Sequence, residues 1–436
     1  MVFLKFVFSV RIQKTKMLST TKTDALRPSY SFTGKQLLMV AVAALGYFVD
    51  VYDLLIFSSE RIESLQAIGV AREDMKDVGI MILNFQMAGL IIGGFLFGIM
   101  ADKYGRLKVL FASILLYSLA NIGNAFVTGI PGFIVARFLA GIGLAGELGV
   151  ALSWISESLD RKQRTIATMI VSAIGLFGGI AAALVSANFD WQTSYIVGGV
   201  LGLLLLGLRI SVRESKMFIK NSSKKAIRGD LVELFTNNKQ LYKYTLCVLA
   251  GAPAVVFISL FITLTPEFCR AFGITEEVSV SNAIMYYLIS LAISDILCGY
   301  LSKLMQQRKG PLLIYAGLQI IATVYFLLIP PATESGYYVR CVILGFSVGY
   351  WGVLVTNSVE QFGTNIRATV ATSTPNLIRG ITIPATLIFS ALVKPLGLVT
   401  SGAVIAFSLI GISIISILLL KDKFENNLNY TEIFED

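Results

Sequence analysis

The chain has 436 residues, of which 55% are hydrophobic and only 14% charged, against about 25% charged in an ordinary soluble domain; this balance excludes a water-soluble globular fold and makes the bilayer its solvent. The net charge of +9 does not point to nucleic acid, because the basic residues sit in short loops between apolar runs rather than on one polar face. Histidine is absent, which excludes His-based catalysis, proton relays and metal ligation; Cys247, Cys269, Cys298 and Cys341 lie in or beside apolar runs at irregular spacing, as small hydrophobes rather than a disulfide framework or zinc site.

Residues 1–17 hold a short apolar stretch with basic residues and no small-residue cleavage site. They read as a soluble or interfacial tail, with Met17 an alternative start. A spanning helix needs roughly 20 apolar residues, and runs of that length predict spans at 36–57, 78–100, 108–128, 131–155, 164–187 and 193–211, then at 242–265, 279–304, 311–331, 337–358, 368–394 and 397–420. The polar break between the sixth and seventh spans reads as a linker. The predicted organisation is a tail (1–35), a six-helix half (36–212), a linker (213–241), a second six-helix half (242–421) and a short tail (422–436). The fold class is therefore an all-α membrane protein with twelve transmembrane helices in two halves.

Orientation follows from Lys and Arg placement. Lys14, Lys16, Lys22, Arg27 and Lys35 precede the first span. Lys103, Arg106 and Lys108, then Arg161, Lys162 and Arg164, lie in alternate loops, as do the five basic residues from Lys216 to Arg228, and Lys303, Arg308 and Lys309; Lys421 and Lys423 follow the last span. All fall on one side, while the opposite loops are short or acidic, which predicts cytoplasmic termini in the plasma (bacterial inner) membrane.

The halves repeat one another. Arg137, Glu157 and Arg164 recur as Arg340, Glu360 and Arg367 at a constant offset of 203. Charged residues are scarce in these segments, so the triple match marks parallel repeats about an axis along the membrane normal.

The loop Gly98-Ile-Met-Ala-Asp102-Lys103-Tyr-Gly105-Arg106-Leu-Lys108 resembles the signature G-x-x-x-D-[RK]-x-G-R-[RK] of the major facilitator superfamily; its second-half counterpart at Gly299–Lys309 has lost the Asp and the second Gly. Arg137-Phe-Leu-Ala-Gly141-Ile-Gly143-Leu-Ala-Gly146-Glu147 is similar to the fourth-span motif of the metabolite:proton symporter and sugar-porter branches. Glu360 through Arg367 to Arg379-Gly380 resembles the motif after the tenth span. The resemblance covers residues 36–421 and implies a cytoplasmic gate of Asp102, Arg106, Glu157, Arg164, Arg308, Glu360 and Arg367, paired across the halves. It also implies a proton-coupling pair, Asp53 taking up the proton and Arg137 holding it ionised when the two are paired; a static ion pair bracing two helices is the alternative.

Charges inside a bilayer are costly and mark function. By helical rise, Asp53 and Arg137 lie ~7 and ~9 Å from the outer ends of their spans and can meet. Glu147 and Arg379 lie roughly 15 Å from the inner ends of theirs, in opposite halves. They line the central cavity, with Arg379 able to hold a carboxylate or phosphate, or form an ion pair between the halves. Asp50 packs helices or lines the cavity. Tyr52, Tyr350, Trp351, Asn357 and Asn376 complete the candidate cavity, although aromatics also pack helices and amides also bridge them.

The expected function is secondary active uptake, by proton symport, of a small polar or charged metabolite through alternating access. Facilitative uniport or proton-coupled efflux is the alternative, with a non-transporting sensor behind them. No Walker motif indicates ATP hydrolysis, and no nucleophile–base constellation indicates an enzyme. No cofactor or metal is expected; the partners are lipid, substrate and protons, with no nucleic acid, and the functional unit is a monomer.

Overall fold

The computed structural model describes residues 32–159, 161–209, 235–329, 331–362 and 367–424. Residues 210–234, which hold most of the predicted linker, and both distal tails lie outside them, as do the side chains of Asp102, Arg106, Glu157, Arg164 and Arg367.

Among the described residues, eleven helices are long and apolar enough to cross a bilayer: Gly34–Ala67, Met75–Ala101, Leu107–Asn124, Ile130–Ala151, Trp191–Arg209, Asn238–Ile262, Val280–Met305, Lys309–Leu328, Glu334–Glu360, Thr369–Leu396 and Leu398–Leu419. The fifth of the twelve, Arg161–Ser186, adds the apolar stretch Ile170–Ser186. Leu204, Ile321, Leu387 and Ile415 are among the large apolar side chains left exposed on the outside of the bundle. In water they would be a liability; against lipid tails they cost nothing. Asn238–Leu241, expected in the linker, instead forms the first turn of the seventh span, because Asn237 caps it by accepting from the amides of Lys239 and Gln240.

The first span runs to Ala67, ten residues beyond the expected end. Its 34 residues measure about 51 Å, well beyond a hydrocarbon core of about 30 Å. The extension carries Glu60 and Arg61, both buried.

The packing repeats between the halves. The first span packs on the fifth, the second on the fourth and the third on the sixth; correspondingly, the seventh packs on the eleventh, the eighth on the tenth and the ninth on the twelfth. Between the halves, the second span meets the eleventh and the fifth meets the eighth, again a symmetric pair. Glycines permit the closest approaches: a Cβ on Gly141 of the fourth span would collide with the backbone oxygen of Gln86 on the second, so the helices meet backbone to backbone. Gly105, at φ 104°, makes the signature turn between the second and third spans. The second half, lacking that glycine, turns at Gln306 with φ 52°.

Two spans break at repeat-related positions. The fourth divides into Ile130–Leu144 and Glu147–Ser158, and the tenth into Glu334–Ser347 and Trp351–Glu360. Gly146 and Gly349 sit at these breaks, 203 residues apart. Broken helices at mid-depth expose backbone groups where a cavity or a partner must satisfy them.

Candidate functional site

Among the described residues, five buried or part-buried ion pairs organise the interior. Asp53 and Arg137 approach to 3.3 Å, both wholly buried. Arg137 also donates to the Asn121 carboxamide and lies over the Tyr195 ring, 4.7 Å from its centroid, a cation–π contact. All four residues belong to the first half. The predicted meeting of Asp53 and Arg137 is thus present, with Asn121 and Tyr195 as partners the sequence reading missed.

Glu147, the first residue after the break in the fourth span, is held bidentately by Arg209 of the sixth, one bond being Nη1 to Oε2 at 3.1 Å. Gly46 of the first span passes directly against this pair; a side chain there would overlap both Glu147 and Arg209. Glu147 therefore meets Arg209 inside its own half rather than Arg379. Arg209 sits in an apolar run that the rule for intramembrane charge would have flagged.

Arg379 instead faces Asp50 across the two halves, Nη2 to Oδ2 at 3.7 Å, with Asp50 wholly buried. That separation is longer than a hydrogen bond, and neither Asp50 oxygen has a hydrogen-bond partner among the described residues. Tyr47, one turn away, lies within electrostatic reach of Arg379, Asp50 and Asp295. Asp295 of the eighth span accepts from the amide of Gly352 at 2.9 Å and so caps the second segment of the tenth.

The other predicted cavity residues divide. Tyr350 is buried at the break in the tenth span, and Trp351 beside it is half-buried. Tyr52 donates to the Ser194 carbonyl at 2.9 Å inside the first half. Its hydroxyl is committed to helix packing, not to the space between the halves. Asn376 likewise bridges helices, donating to the carbonyls of Ala145 and Thr372 at 3.0 Å each. Asn357 lies one turn from Glu360, near the terminus-bearing end, and accepts from Gln361 at 3.4 Å.

Of the predicted gate, the described part is a bidentate pair, Arg308 to Glu360 at 2.8 and 3.0 Å. Both residues are in the second half, so this pair fastens the eighth-to-ninth turn to the tenth span and does not cross between halves. The repeat is also chemically unequal. Arg340, the mate of Arg137, meets no carboxylate among the described residues; it donates to the carbonyls of Ile329 and Gly336 and lies 4.6 Å from the Tyr325 centroid.

At the face opposite the termini the halves are latched by a pair the sequence did not suggest. Arg61 of the first span donates to both oxygens of Glu267, at 2.8 and 2.9 Å, and to the Thr263 carbonyl at 3.2 Å. Thr263 donates to Ser58 at 3.0 Å. Arg61→Gln will unlatch this face: a cysteine placed at Leu55, inward of the latch, will react at least about tenfold faster with an impermeant maleimide from that side, the effect of about 1.4 kcal/mol on the closed state. An unchanged rate would show that the latch does not hold the face shut.

Two packed six-helix halves around paired intramembrane charges are the architecture of a secondary transporter. Residues 64–381 match the Major Facilitator Superfamily, and the chain belongs to that family. It is 28% identical over 341 residues to a Bacillus subtilis protein provisionally named niacin/nicotinamide transporter NiaP, covering 76% of this chain and 82% of the relative. It is 25% identical over 322 residues to the niacin transporter NiaP of Acinetobacter baylyi, covering 66% and 72%. The crystal structure of a D-xylose-proton symporter superposes with a TM-score of 0.67 at 17% identity, covering 88% of this chain and 97% of that one, which shows the shared twelve-helix fold. The chain is a transporter rather than an enzyme.

Proposed function

We propose that the protein takes up a small polar metabolite bearing a carboxylate, coupled to protons and with both termini cytoplasmic, as a monomer in the bacterial inner membrane. The observation that carries this reading is Arg379, a guanidinium buried between the halves whose nearest acid, Asp50, stands beyond hydrogen-bond distance. An intramembrane arginine with donors to spare is a ready grip for a carboxylate. The niacin-named relatives support that cargo chemistry. The buried carboxylates Asp50 and Asp53 on the first span support proton coupling, with Asp53 beside Arg137 in the role the family resemblance assigns.

Purified protein in proteoliposomes tests the reading with radiolabelled niacin and a panel of other small carboxylates. The expected result is accumulation above equilibrium driven by an inward proton gradient, collapsing with a protonophore, and reduced at least about tenfold in Arg379→Gln, as loss of one charge-assisted contact of about 1.5–3 kcal/mol implies. Equilibration that ignores the gradient would favour uniport, and wild-type uptake by Arg379→Gln would remove the arginine from the binding site.

A further inference from the structure

We propose that Asp50 is a built-in competitor for Arg379, and that a proton on Asp50 is what hands the arginine to the substrate carboxylate. The inference rests on the reading that the cargo carries a carboxylate.

Location comes first. Asp53–Arg137 and Glu147–Arg209 each lie within the first half, so rigid rocking of the halves carries both pairs along unopened. Asp50–Arg379 joins the first span to the eleventh and must lengthen or close whenever the halves move. Of the three central pairs, it is the one that joins the halves, so their rocking acts on it directly.

The second argument is how loosely the pair is made. Arg137 and Arg209 hold their acids within hydrogen-bond distance. Asp50 has no hydrogen bond on either oxygen among the described residues, and it touches Arg379 only at 3.7 Å. A carboxylate in this setting balances charge without being anchored, and an incoming carboxylate able to bond the guanidinium in its plane would displace it.

Charge bookkeeping supplies the third. The groups bearing on Asp50 are Arg379 from the eleventh span, Glu147 from the fourth, Tyr117 from the third, and Asp53 and Tyr47 on its own helix, with Asp295 of the eighth reaching Tyr47. Asp53 and Glu147 are already neutralised by their arginines; Asp295 accepts from the neutral Gly352 amide, which cancels no charge, but it bears on Tyr47 and not directly on Asp50. Arg379 and Asp50 therefore sum to zero. A bound carboxylate would leave this centre one negative charge in excess, which a low-dielectric site resists strongly. One proton on Asp50 restores the balance: an O–H bond forms on Asp50, Arg379 stays protonated and exchanges its acceptor, and one proton and one carboxylate enter with no net charge. Proton and substrate are then coupled by mutual requirement, and by linkage each raises the affinity for the other.

The test is niacin binding to the full-length protein in nanodiscs between pH 6 and 9, where the probe's carboxyl stays ionised, with nicotinamide as the uncharged control. In the wild type the apparent Kd for niacin is expected to rise toward tenfold per pH unit at the alkaline end, the slope of one obligatory proton. Asp50→Asn should bind niacin with no such slope and fail to accumulate it uphill. Asp50→Glu should restore the slope, showing that the asparagine variant fails through charge and not through folding. Nicotinamide, which needs no proton to balance it, should show none. A slope that survives in folded Asp50→Asn, or a wild type with no slope, overturns the inference and leaves the carboxylate reading standing. Absence of binding by any carboxylate of the panel at any pH overturns that reading and the inference with it.

Discussion

Arg137→Gln will lower the stability of the purified protein by about 3–5 kcal/mol, the usual result of stripping one partner from a buried ion pair. Asp53 is wholly buried and its contact with Arg137 is 3.3 Å; its other oxygen has no hydrogen-bond partner among the described residues. Without the guanidinium, a carboxylate would sit unpaired in the bilayer interior, Asn121 would lose its donor, and the Tyr195 ring would lose the cation stacked on it. The double variant Asp53→Asn/Arg137→Gln removes both charges together and should recover most of the loss, because two neutral amides of similar size can occupy the same space. The measurement is the thermal inactivation midpoint in detergent at one scan rate, since a chain of this kind unfolds irreversibly. Equal midpoints for the single and double variants would show that the pair contributes packing and no electrostatic compensation.

Gly149→Leu is expected to abolish transport, to below about 1% of wild type, while leaving a folded protein. Gly149 lies in the second segment of the fourth span and faces Thr372 of the eleventh across the halves. A Cβ there would overlap the Thr372 backbone and come within 2.6 Å of its Cβ and Oγ1. Nearby, a Cβ on Gly98 of the second span would lie 3.9 Å from the Thr372 methyl, and Asn376 donates to the Ala145 carbonyl. This cluster closes the terminus-bearing end. A leucine would wedge it open and raise the free energy of the closed state by several kcal/mol, enough to depopulate it more than about a hundredfold. A cysteine at Ala371, buried in the closed arrangement, would report the change through faster labelling from the terminus-bearing side. Gly149→Ala should give a partial version of both effects. Wild-type uptake by Gly149→Leu would mean that the cycle does not require this contact.

Much of this architecture is legible in the sequence because membrane helices declare themselves locally. A stretch such as Leu398–Leu419 is apolar for the whole thickness of a bilayer, and no water-soluble arrangement competes for it. The depth of a charge is local as well, since rise per residue is constant. That is why Asp53 and Arg137 could be matched at similar depth on helices 84 residues apart. The breaks at Gly146 and Gly349 were harder to read, because glycine in a membrane helix marks close packing as often as interruption. Arg209 was overlooked at the end of its span, and its capture of Glu147 changed the partner expected for Arg379.

Composition, apolar run length and the 203-residue repeat by themselves determined a membrane protein, the number of spans, the two halves and the matched depth of Asp53 and Arg137, because these depend only on residues near one another along the chain. The tertiary structure decided who pairs with whom. Asp50, Asp53 and Glu147 all had arginines within plausible depth, and the choice among Arg137, Arg209 and Arg379 turned on helix rotation and on which spans are neighbours. Those are set by backbone-to-backbone contacts at glycines such as Gly141 and Gly178. The latch of Arg61 on Glu267 depends in the same way on the two halves meeting at one face. Close packing fixes each helix's azimuth to within a side chain's width, and that azimuth is a property of the assembled bundle that no single segment carries.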